Sequence, residues 1–128
     1  MKITVTALLI GLAATAAHAQ YLPDIQRGMV ADGTMTREKF QRCSLEGQVY
    51  GAAARARDNN ESPQQAFNES VGYARADGIP DGFVKSAVNL LYFQDGFTHA
   101  RGRALIDQIT SICLDPDGKY SPHYQPLQ

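Results

Sequence analysis

From Thr36 onward, apolar residues recur at three- and four-residue steps in four runs separated by start and stop signals. In the first run Phe40, Cys43, Gly47, Tyr50 and Ala54 share one helical face,. Thr36 precedes it, Glu38 suits its first turn, and Asn59 or Asn60 can take a left-handed cap after Arg57-Asp58,. The second run opens on Ser62-Pro63-Gln64-Gln65, which reads as an N-cap, a first-turn proline and a capping box,. Its stripe is Phe67, Val71 and Ala74, with Tyr73 beside it, and Gly78-Ile79-Pro80 stops it,. The third run spans about 81–94 and buries Val84, Ala87, Val88 and Leu91, flanked by Phe83 and Tyr92,. After Gly96, Thr98 can start a fourth helix that carries Leu105, Ile106, Ile109, Ile112 and Cys113. The turn Asp115-Pro116-Asp117-Gly118 ends it,. The pattern predicts an all-α protein, a small four-helix bundle over residues 36–115.

Gly47 and Gly51 are costly inside a helix, about 1 kcal/mol each against alanine,. Such a cost points to a neighbouring helix that crosses closely over Gly47, Gly51 and Ala54. A ligand groove is the alternative.

The flanks lack a period. Residues 20–35 are broken by Pro23, Gly28 and Gly33 and read as an irregular arm, with at most a turn of helix from Pro23 to Met29. Residues 116–128 hold Tyr120, His123, Tyr124 and two further prolines, and read as a flexible tail,. Residues 1–19 have a different character. Lys2 is followed by an uncharged apolar stretch, Ile3 to Ala16, and by Ala17-His18-Ala19, the small-x-small pattern of a cleavage site,. The apolar stretch falls short of the ~20 residues that span a bilayer. A cleaved signal peptide and a periplasmic or secreted chain without a membrane anchor are expected. Losing Lys2 takes the formal charge from −1 to −2, which argues against a nucleic-acid or anionic-membrane footprint,.

The chain has two cysteines, Cys43 and Cys113, both on core faces of long helices. In an oxidising compartment an even pair most often becomes a disulfide. A catalytic thiol would want a histidine or a C-x-x-C partner, and zinc would want about four ligands. Beyond the leader, only His99 and His123 are available to join the cysteines. No metal and no cofactor are expected. Ser44 and Ser111 have no histidine or glycine elbow near them, and Glu46, Glu61, Glu69, Asp77 and Asp81 read as solvated helix faces,. The sequons Asn60-Glu61-Ser62 and Asn68-Glu69-Ser70 read as chance. The expectation is a protein that is not an enzyme.

Cys43, Ala52-Ala53-Ala54, Arg57-Asp58, Ser62, Val88 to Tyr92 and Cys113 together resemble a loose group of small exported two-cysteine helical proteins of Gram-negative bacteria. The resemblance covers about 40–114. More distantly, the plan is similar to the periplasmic immunity proteins that neutralise type VI secretion effectors. It implies an exported inhibitor-like binding protein, and no site residue carries over from it.

The candidate partner surface is "YFQDGFTHARGR", where Tyr92, Phe93, His99, Arg101 and Arg103 concentrate residue types found at binding hot spots,. Phe97 of the same stretch reads as core. If Leu105, Ile109 and Ile112 mark the buried stripe, Arg103 lies about 200° from Leu105 and points outward,. A protein partner in the periplasm is therefore expected. The other reading is a small-molecule or lipid carrier with an apolar pocket lined by Phe40, Tyr50, Phe67, Phe83 and Leu91,.

Overall fold

A computed structural model describes residues 21–120. Five helices follow one another: α1 Tyr21–Ala31, α2 Arg37–Asp58, α3 Pro63–Ala76, α4 Asp81–Phe93 and α5 Gly102–Leu114. Among the described residues there is no strand. The all-helical class stands, but among the described residues the helices number five rather than four. The expected leader lies outside the described residues.

Local signals account for most boundaries. The Thr36 hydroxyl accepts the Lys39 N–H at 3.1 Å and caps α2. Asn60, at φ +61°, takes the left-handed residue after the α2 end. Ser62 Oγ accepts the Gln65 N–H at 3.2 Å, and Gln65 Oε1 accepts the Ser62 N–H at 2.8 Å, closing the capping box of α3,. Gly78, at φ +74°, turns the chain toward α4.

α2 is the axis of the fold. It packs along α5 and against α3 and α4. The main core joins Val49, Ala53 and Ala54 of α2 to Ala66 and Ala74 of α3, Val84, Ala87, Val88 and Leu91 of α4, and Leu105 and Ile109 of α5. Small residues let α2 and α5 meet closely. A Cβ on Gly47 would stand 2.6 Å from the Ile106 carbonyl oxygen and from Thr110 Oγ1. One on Gly51 would stand 2.8 Å from Ile106 Cδ1. The glycines thus serve helix packing rather than a groove. Gly47→Leu should cost roughly 1–3 kcal/mol in urea unfolding, despite leucine's better helix propensity, because a backbone atom blocks the added side chain. A stabilised variant would contradict the close approach.

Cys43 and Cys113 form a disulfide that closes 70 residues and joins the first turns of α2 to the last turn of α5. A second, smaller cluster gathers around it: Ile25 and Met29 of α1, Cys43, and Leu114, with Leu22, Met35, Phe40, Cys113 and Tyr120 at its margin.

The structure departs from the sequence pattern at three places. The arm is helix α1. Leu22, Ile25 and Met29 stand at three- and four-residue steps and dock on the disulfide end. Pro23 sits in the first turn, where its missing N–H costs nothing,. Second, the last helix starts at Gly102, not Thr98, because residues 94–101 form a tied loop described below. On its buried face the small Thr110 stands where Gly47 of α2 comes close, while Ile112 is 40% exposed. Third, the tail is built as far as Tyr120. Asp115 Oδ1 accepts the Lys119 N–H at 2.8 Å and Oδ2 the Tyr120 N–H at 3.0 Å, which folds the chain back toward α1. Residues 121–128 lie outside the described residues.

Candidate functional site

The end of α4 and the loop that follows it hold the candidate site, and Arg57 of α2 organises both. Its side chain is only 11% exposed. Nη1 donates to the Leu91 carbonyl at 3.1 Å and to the Phe97 carbonyl at 2.9 Å, and Nη2 donates to the Ala100 carbonyl at 2.7 Å. Leu91 lies in the last turn of α4, where carbonyls lack intrahelical donors and a cation is favourable. Asp58 accepts from Arg57 Nε at 3.1 Å and holds the guanidinium in plane. Within the loop, the Phe97 N–H donates to the Gln94 carbonyl and the Ala100 N–H to the Phe97 carbonyl, both at 3.1 Å. Gly96, at φ +89°, makes the turn. One guanidinium thereby fixes the exit of α4 and the approach to α5.

Tyr92 is half-buried, and its hydroxyl donates to the Glu61 carbonyl at 2.9 Å. Burial first, and then the Glu61 charge, raise its phenol further above its ordinary range, so it stays a neutral donor. Phe93, one residue on, is 69% exposed, and its ring centroid is 6.2 Å from that of Tyr92. A shallow hollow beside Phe93 is lined by Ser86, Asn89, Leu90, Gln94 and Asp95. It does not include His99, Arg101 or Arg103. His99 is exposed in the loop. Arg101 lies 3.6 Å from Asp58 and donates to the His99 carbonyl at 3.3 Å. Arg103 pairs with Asp107 one turn along α5 at 2.9 Å. Tyr92 and Phe93 thus come together, whereas the two arginines are engaged by acids of their own chain. Such exposed pairs contribute little to stability.

Below the loop, Glu61 Oε2 is enclosed without a hydrogen-bond partner. Burial pushes the Glu61 carboxyl up, and the adjacent Glu69 carboxyl pushes the same way by hydrogen bonding to its protonated form. A carboxyl whose folded value is raised holds its proton more readily in the folded than in the unfolded chain,. The Glu61 contribution is present below the unfolded value of 4.5 and is lost as pH rises through the raised folded value,. Glu61→Gln should stabilise the protein at neutral pH and flatten its loss of stability on going upward from pH 4.5. Urea midpoints measured at several pH values check this, and an unchanged profile would remove the carboxyl pair as its source.

The other candidates have ordinary roles. Ser111 is buried, and its hydroxyl donates to the Asp107 carbonyl at 2.7 Å. Among the described residues, no three of His, Cys, Asp and Glu stand together as a metal site. Of the residues expected to line a carrier pocket, Tyr50 and Leu91 are in the main core with Phe67 and Phe83 packed against it, and Phe40 lies apart. Phe40 joins the disulfide cluster, Tyr50 meets Phe83 edge-on at 5.7 Å, Leu91 is fully buried in the main core, and Phe67 faces an open groove with Pro63, Gln64, Lys85, Val88 and Asn89.

Arg57 is the residue that the sequence pattern missed. Its acceptors are backbone carbonyls 34, 40 and 43 residues away, which no side-chain periodicity marks. No family model matches this chain, and no curated protein or solved structure matches it either.

Proposed function

We propose that the protein is an exported, non-catalytic binding protein that engages a protein partner through the end of α4 and the following loop. The observation that carries this reading is Phe93, 69% exposed on a backbone whose next turns are tied down by Arg57. A large aromatic side chain on a fixed frame loses little conformational freedom on binding, which favours affinity. Tyr92 supplies a second ring beneath it. His99, Arg101 and Arg103 belong to the rim in this reading, where rim charges act on specificity and approach rate. The disulfide, and a described region with no helix long and apolar enough to cross a membrane, fit a non-cytoplasmic location,. Together with the leader-like residues 1–19, they support the periplasm and an inhibitor- or immunity-like role.

A photo-crosslinking residue at position 93, introduced in cells that export the protein, tests the site. One saturable adduct with another protein, lost when a competing Phe93-intact copy is supplied, is the expected result. Phe93→Ser should leave the urea midpoint nearly unchanged while weakening the captured complex at least tenfold, as hot-spot truncation does. Undiminished binding by Phe93→Ser would remove this surface from the partner site.

A further inference from the structure

A second device lies at the other end of the molecule and shares no residue with the proposed partner surface. We infer that α1 is a latched strap that gates chemical access to the Cys43–Cys113 bond. Among the described side chains of α1 none belongs to the main core; Ile25 and Met29 pack instead in the separate cluster with Cys43 and Leu114. Cys43 is nearly fully buried under that cover, and Cys113 is half-buried at its margin. Residues 32–36 link α1 to α2, with Gly33 in the left-handed region at φ +74°.

The latch is the residue that follows the Asp115 turn. The Tyr120 ring lies against Gly28, where a Cβ would collide with it. Its hydroxyl donates to Asp32 Oδ2 and lies 3.3 Å from Thr34 Oγ1. Thr34 Oγ1 in turn donates to Asp32 Oδ1 at 2.6 Å, and Lys119 Nζ lies 3.5 Å from Asp32 Oδ2. These contacts join the end of α1 to the segment after α5. With the latch closed, the apolar face of α1 lies over the Cys43 side of the disulfide. When it opens, α1 swings about the 32–36 link while α2–α5 keep their own core.

An external dithiol reads out this gate. One of its thiolates attacks a sulfur of the Cys43–Cys113 bond, and the other protein sulfur leaves as a thiolate. The reagent's second thiol then displaces the first protein sulfur. The reagent ends as a cyclic disulfide, and the protein, having gained two electrons, ends with two thiols. In the purified protein, Tyr120→Ala and Asp32→Ala should each speed reduction by dithiothreitol roughly tenfold, the scale of losing a charge-assisted hydrogen bond. Trapping the thiols with an alkylating reagent and weighing the protein gives the rate. Amide exchange should rise in α1 and stay unchanged in α2–α5. Gly28→Ala separates the latch from helix strength. It improves the propensity of α1 but displaces the Tyr120 ring, so reduction should again be faster. Unchanged rates in Tyr120→Ala and Asp32→Ala would overturn the gate, as would slower reduction in Gly28→Ala. So would faster reduction accompanied by equal loss of protection in α2–α5, since access would then come from global unfolding.

Discussion

Replacing Cys43 and Cys113 together by alanine is expected to lower the unfolding free energy by roughly 4 kcal/mol, the chain-entropy value for a closed loop of this length. The bond spans 70 residues, so nearly the whole of α2–α5 lies within the loop. Without it the unfolded chain gains the freedom that the covalent closure removes. The native state also loses contacts in the small cluster that Ile25, Met29 and Leu114 make around Cys43. The main core is rich in alanine and carries few large side chains, so it has little surplus to offset the loss,. Urea unfolding of the oxidised protein against the double variant measures the difference, with helical circular dichroism retained by the variant at low urea. Equal midpoints would show that the loop closure contributes nothing.

Arg57→Ala is the second large effect, expected to cost at least about 3 kcal/mol. The substitution removes three donors at once and leaves the Leu91, Phe97 and Ala100 carbonyls without them. Leu91 and Ala100 are buried, so water replaces the guanidinium poorly,. Arg57→Lys should recover little, because one ammonium lacks the planar fork that reaches carbonyls on both sides. Exchange should rise first at the Phe97 and Ala100 amides, and the urea midpoint should fall in both variants. A lysine variant as stable as the parent would show that charge alone, rather than the fork, holds the loop.

How far the fold is legible depends on where each determinant sits in the chain. The signals at Thr36, Ser62-Pro63-Gln65 and Gly78 are complete within a few residues, and each marks a boundary in the structure. The stripe of α4 is legible for the same reason: Val84, Ala87, Val88 and Leu91 all enter the core. α1 is harder. Its apolar set is small, Pro23 and Gly28 interrupt it, and the group that makes Gly28 sensible is Tyr120, far along the chain. The start of α5 is hidden similarly, because residues 98–101 are kept out of the helix by an arginine of α2. On α5 the buried face runs through Leu105, Ile109, Thr110 and Leu114 and leaves Ile112 40% exposed; Thr110 on that face is the small residue that meets Gly47, a helix-to-helix contact that periodicity along one helix does not mark. At the candidate site the sequence marks the aromatic residues, whereas the backbone acceptors that fix their frame carry no signature.

The meeting of Tyr120 with Gly28 also has a topological consequence. Gly28 is two helical turns from Tyr21, so the first and last described residues lie on the order of 10–15 Å apart,. A short flexible linker could join them without crossing the core. New ends could then be opened at Asn59–Asn60, an exposed turn between α2 and α3,. In such a permuted chain α3–α5 would be synthesised before α2, yet the same helices could pair, with the axis helix arriving last to a preassembled cradle.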